Sequence, residues 1–127
     1  MSYSVLYIAL GGAIGAILRY ATAVGVANLW RGSFPLGTAI ANLLGCFLIG
    51  LILPHFAKTE ISTGFRLFFV TGFLGAYTTF STFSLETIEL LHRGDYGTAL
   101  LNVGSSLGLG LIATAMGIWA GKTLWAG

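Results

Sequence analysis

Charge is what this chain lacks most. Of 127 residues, six are Lys or Arg and four are Asp or Glu, or 8% in all, where an average soluble domain carries roughly a quarter. So few charged side chains could hardly cover a globule of this size, so water is not its main solvent. Cysteine is limited to Cys46, which excludes a disulfide framework and a metal cluster built on thiolates. The net charge of +2 is too small and too scattered to argue for nucleic acid as a partner. A positive amino-terminal region is missing as well, and the first apolar stretch runs on past Ala21-Thr22-Ala23. That stretch therefore reads as a helix rather than a signal peptide. No nucleophile, acid–base pair or cofactor loop appears, so an enzyme is not expected.

What is present is hydrophobic: 56% of the residues, with a mean hydropathy of +0.89. Gly32 to Ala57 is 26 residues without a charge, Leu67 to Leu85 is 19, and Tyr96 to Gly121 is 26. Met1 to Leu18 is also uncharged, and the run resumes from Tyr20 to Trp30. A bilayer core needs about 20 mostly apolar residues per helix. The chain 1–127 is thus expected to be a single all-α membrane domain with four transmembrane helices, at about 4–28, 36–56, 65–92 and 96–124. Pro35 suits a first helical turn, and Pro54 with the polar "KTEISTG" is expected to end the second helix. Trp30, Tyr3, Tyr96, Trp119 and Trp125 fall near the ends, where amphipathic rings favour the interface.

Orientation is nearly unspecified. Lys58, Arg66 and Lys122 lie on the side of the amino terminus, against Arg31 and Arg93 on the other. A fixed topology normally shows a clear excess on the cytoplasmic side. Two readings stand: insertion in both orientations, or the noise of a small count. Dual insertion would allow two inverted copies to pair about an axis in the membrane plane. Close packing is also written in the sequence, as Gly11-xxx-Gly15, Gly104-xxx-Gly108, Gly117-xxx-Gly121 and the Gly37/Ala41/Gly45 series.

Polar residues recur at helical spacing. Thr98, Asn102, Ser106, Gly110 and Thr114 follow one another every four residues, and Thr38, Asn42 and Cys46 do the same. Hydroxyls can bond the carbonyl four residues back, but an asparagine amide needs protein or a wet passage. Arg19 lies deep in the first helix, where it can reach a vestibule and concentrate anions; Glu86 lies inside the third.

The segment "TGFLGAYTTFSTFS" (71–84) crowds six Ser and Thr hydroxyls into an apolar run. Gly72 and Gly75 weaken a helix, and β-branched Thr78 and Thr79 prefer other geometries. A break at these residues would free carbonyls suited to a hard cation, and half-helix amino ends suited to an anion. Such a break is tolerated only in protein or beside a cavity. Phe80 and Phe83 lie on one face, either packing or turning the positive edges of their rings to an anion.

"GFLGAYTTFSTFS" with the following "ET", Asn42 within "GTAIANLLGCFLIG", and the early "GGAIGAILRY" together resemble the Fluc (CrcB) family of fluoride channels. The resemblance covers essentially the whole chain. It implies a fluoride-selective channel in a bacterial inner membrane, passive, built as an antiparallel dual-topology homodimer with two pathways. It also implies a third helix broken mid-membrane, with a structural sodium ion held there by the backbone carbonyls of Gly75 and Thr78. The fluoride path implied by the family match comprises Phe80, Phe83, Asn42, Thr38, Ser81, Thr82, Ser84, Glu86, Ser106 and Thr114, with Arg19 in the vestibule. Asn102 and Gly110 depart from the Tyr and Ser that other members can carry. The alternative is a small dual-topology, proton-coupled multidrug exporter, but that chemistry depends on a carboxylate in the first helix, which has Arg19 and no Asp or Glu.

Overall fold

A computed structural model describes residues 2–58 and 60–125, the side chains of Ser2 and Lys58 excepted; Lys58, counted in the charge balance, therefore lies outside the described side chains. The described residues form α1 (Ser2–Leu29), α2 (Leu36–Lys58), α3 (Thr63–Arg66), a π-helical segment (Leu67–Leu74), α4 (Gly75–Tyr77), α5 (Ser81–His92) and α6 (Tyr96–Leu124). Among them α1, α2 and α6 are long and apolar enough to cross a membrane. The third expected helix is a bent and interrupted run, 63–92.

Two expectations about helix ends need correction. Pro54 does not stop α2, which continues to Lys58. The Pro54 ring is buried and packs on α6 at Gly121, and Trp125 Nε1 donates to the Leu51 carbonyl at 3.0 Å. Packing on α6 and a tertiary hydrogen bond within the same turn thus hold the helix through the proline. The glycines, likewise, are not the break. Gly72 is π-helical, Gly75 is helical with φ −60° and ψ −37°, and the chain leaves the helix only at Thr78, φ −88° and ψ 157°.

Glycine has another use here. A Cβ on Gly72 would meet the Ile8 carbonyl at 2.7 Å, and one on Gly11 or Gly15 would strike the carbonyl of Phe68 or Phe73. The backbones of α1 and the π segment therefore touch directly, as small residues permit. The α2–α6 pair uses the same device: Gly50 faces the Thr114 carbonyl, and Gly117 and Gly121 face those of Phe47 and Leu51. Between these two close pairs sits the break. Phe65, Phe69, Phe73 and Tyr77 stack at 5.8, 5.5 and 5.9 Å, a column that leads from the start of this run to the break.

At the other end of the bundle, α5 and α6 are joined by a tight turn through Gly94, φ 77°. Ser33 donates to Asp95 Oδ2 at 3.0 Å. Hydrogen bonds from Thr98 and Ser33 hold the exposed Asp95 carboxyl below the usual carboxylate range.

Candidate functional site at the helix break

A helix interrupted among apolar neighbours must find partners for its backbone. Here the partners come from α1 and α2. Thr79 N–H donates to Asn42 Oδ1 at 2.7 Å, and Asn42 Nδ2 donates to the Thr79 carbonyl at 2.9 Å. One side-chain amide thus pairs with both backbone groups of one residue, as a neighbouring strand would. Arg19 Nε donates to the Ala76 carbonyl at 3.0 Å, a cation at the end of the first half-helix, where the dipole favours it. Tyr77, only 6% exposed, places its hydroxyl 3.0 Å from that of Thr22.

The second half-helix begins on Thr79. Thr82 N–H donates to Thr79 Oγ1 at 3.2 Å, and the Thr79 hydroxyl donates to Thr82 Oγ1 at 3.1 Å. This is the arrangement of a side-chain amino-terminal cap. It has a consequence for the carbonyls behind it. In an unbroken α-helix the Gly75 carbonyl would accept Thr79 N–H and the Thr78 carbonyl would accept Thr82 N–H. Both donors are turned elsewhere, to Asn42 and to Thr79 Oγ1.

Two cavities meet at this point. The larger, about 450 Å³, is lined by Asn42, Gly45, Cys46, Ile49, Val70, Leu74, Gly75, Thr78, Thr79, Phe80, Phe83, Ser106 and Leu107. The smaller, about 260 Å³, is lined by Ala16, Arg19, Tyr20, Ala23, Gly37, Thr38, Thr79, Thr82 and Glu86. Thr79 belongs to both. Phe80 is 78% exposed, with its ring 5.7 Å from that of Phe83 and tilted by 43°. In the smaller cavity Thr38 and the Glu86 carboxyl share the lining. Among the described residues, Glu86 Oε1 is the buried side-chain oxygen or nitrogen left without a partner.

The structure therefore gathers most of the residues singled out from the sequence. Asn42, Thr78, Gly75, Phe80, Phe83 and Ser106 line one cavity; Arg19, Thr38, Thr82 and Glu86 line the other. Ser81 lies beside them, exposed, with its hydroxyl 3.4 Å from that of Thr79. Ser84 and Thr114 are outside both cavities; Thr114 Oγ1 donates to the Gly110 carbonyl at 3.1 Å. A Cβ on Gly110 would stand 3.6 Å from the Cys46 sulfur, in ordinary contact.

Thr79 is the residue that sequence reasoning undervalued. Its signal was present: a threonine three residues before another, where a helix restarts, is a capping pattern. The arrangement as a whole offers hydroxyl donors, one spare amide N–H, aromatic rings and a cation around two cavities that share Thr79 in their walls, a set suited to moving a small anion.

Known proteins point the same way. Residues 6–118 match the family described as CrcB-like protein, Camphor Resistance (CrcB). The chain is 47% identical over 122 residues to the fluoride-specific ion channel FluC of Acidobacterium capsulatum, covering 95% of this chain and 98% of that protein. It is 44% identical to that of Campylobacter fetus, over 99% of this chain and all of the relative, and 46% identical to that of Geobacter sulfurreducens, over 95% and 98%. With the match spanning α1 to α6, break and cavities included, this chain belongs to the CrcB family.

Proposed function

We propose that this chain forms a channel that passes fluoride down its gradient, with the broken run 63–92 as a fourth membrane crossing. The observation that carries the reading is the meeting of the two cavities at Thr79, between Arg19 on one side and Phe80, Phe83 and Ser106 on the other. Fluoride entering past Arg19 exchanges its water for the hydroxyls of Thr38, Thr79, Thr82 and Ser106. The free N–H of the Asn42 amide and the ring edges of Phe80 and Phe83 extend the same path. Conduction needs several moderate sites rather than one tight one, and this graded series supplies them. Ser81 and Ser84 on α5 and Thr114 on α6 extend the track.

The larger cavity is open along one chain, with Phe80 exposed on its rim. Gly104 and Gly108 of α6 have open space where a Cβ would stand, although Gly117 and Gly121 of the same helix are packed. These features support a second, antiparallel copy closing two pathways, in accord with the balanced Lys and Arg. They also fit a sodium ion. The Gly75 and Thr78 carbonyls have lost their helical donors, and such oxygens suit a hard cation, which would tie two copies together at the break. The bacterial inner membrane is the proposed location.

Purified protein in liposomes should release fluoride rapidly and chloride negligibly, read with ion-selective electrodes. Equal rates for both ions would overturn the reading. Phe80→Ile and Phe83→Ile should each depress fluoride efflux without changing the elution volume.

A further inference from the structure

Asn102 is the one polar side chain that is essentially sealed among the described residues, 1% exposed on α6. It lies on the four-residue hydroxyl series yet lines neither cavity. Its Nδ2 donates to Thr87 Oγ1 at 2.9 Å, and the Thr87 hydroxyl donates to the Phe83 carbonyl at 2.8 Å. We propose that Asn102, acting through Thr87, is a positioning residue for Phe83; the inference rests on the channel reading for what Phe83 does.

The chemistry gives the chain of bonds a direction. A threonine hydroxyl has one proton and two lone pairs. With an amide N–H held on a lone pair, its proton is directed at the Phe83 carbonyl. Bonding of this kind, back to the fourth residue, bends a helix locally. Such a bend would fall in the turn 83–87 of α5, the stretch that presents Phe83 on the cavity wall. Burial matters too, since a sealed amide deprived of its acceptor carries the full desolvation penalty. The seam continues with buried Leu90 and Ala99, so α5 is seated on α6 by packing at one end and by this bond chain at the other. Asn102 thus acts on the path from outside it.

The test uses the full chain with 4-fluorophenylalanine in place of Phe83, and separately in place of Phe73 as a control ring. Thr87→Val, which keeps the shape but removes the hydroxyl, should move the fluorine resonance at position 83 and leave that at 73 unchanged. Thr87→Ser should restore it, and Asn102→Ala should move it in the same direction. In liposomes Thr87→Val should slow fluoride efflux about tenfold, equivalent to about 1.4 kcal/mol, the size of one hydrogen bond. Added to Phe83→Ile it should slow efflux no further. An unmoved resonance in Thr87→Val overturns the positioning role. A moved resonance in a protein that passes no fluoride overturns the channel reading alone.

Discussion

The two halves of the broken run meet their neighbours in different ways. Residues 63–77 lie against α1 with backbone touching backbone, through Gly11, Gly15 and Gly72, and carry the stacked column from Phe65 to Tyr77. Residues 81–92 meet α6 through side chains, with Asn102 and Thr87 bonded across the seam. Direct backbone contact leaves no rotamers to rearrange, whereas a seam of hydroxyl and amide can be retuned one atom at a time. The first half is built as an anchor and the second as a wall whose ring positions can be set. Asn42 and Arg19 stand between the two, Arg19 on the Ala76 carbonyl at the end of the first half and Asn42 on Thr79, which belongs to neither.

Breaking the anchor should have the largest effect. Gly15→Val places a side chain where the Phe73 carbonyl stands, and overpacking on backbone that cannot yield costs on the order of 3 kcal/mol. The expected result is loss of a monodisperse peak in size-exclusion chromatography; normal elution and melting would mean that α1 can slide. Asn42→Ala comes next. It removes both bonds to Thr79 and strands a peptide, at about 1–3 kcal/mol for each buried group. Fluoride efflux should fall on the order of a hundredfold in protein that still elutes normally, and an unchanged rate would show that the break holds itself. Tyr77→Phe removes only the contact with Thr22, about 1 kcal/mol, and should lower the melting temperature by about 4 °C. The smallest effect sharpens the comparison from within one helix. Gly25 lies on α1 with open space around it, so Gly25→Ala should stabilise by about 0.5 kcal/mol through helix propensity. A loss of stability there would reveal a neighbour beyond the single chain.

Much of the fold was legible because the bilayer imposes simple demands. Uncharged runs of the right length place α1, α2 and α6, and α6 begins and ends at the residues expected. The break was legible too, at Thr78 and Thr79, although the two glycines beside it do not take the share in it that was expected of them. Glycine is a poor helix former in isolation, but Gly72 and Gly75 stay helical. Gly72 does so where close approach to α1 rewards the lack of a side chain. Thr78 and Thr79 leave the helix where α2 supplies an amide to receive them. The spacing marks Gly15, locked against Phe73, apart from Gly25 on the same helix, but nothing local distinguishes Gly117 from Gly104, which carry the same pattern and differ in packing. The approach of the Thr114 carbonyl to Gly50 was equally hidden, since regular spacing says nothing about which face meets α2.

The sequence by itself determined the solvent, the number and length of the apolar runs, and the hydroxyl-rich motif with its two phenylalanines. These are properties of residue type and local period, and hydrophobic transfer reads them directly. Only the tertiary structure decided which residues act together. Asn42 and Thr79 are 37 positions apart, and Arg19 and Ala76 are 57 apart. Their pairing depends on the register in which glycine-faced helices slide together. That register is set by backbone contact across the interface, and no pattern within one helix encodes it.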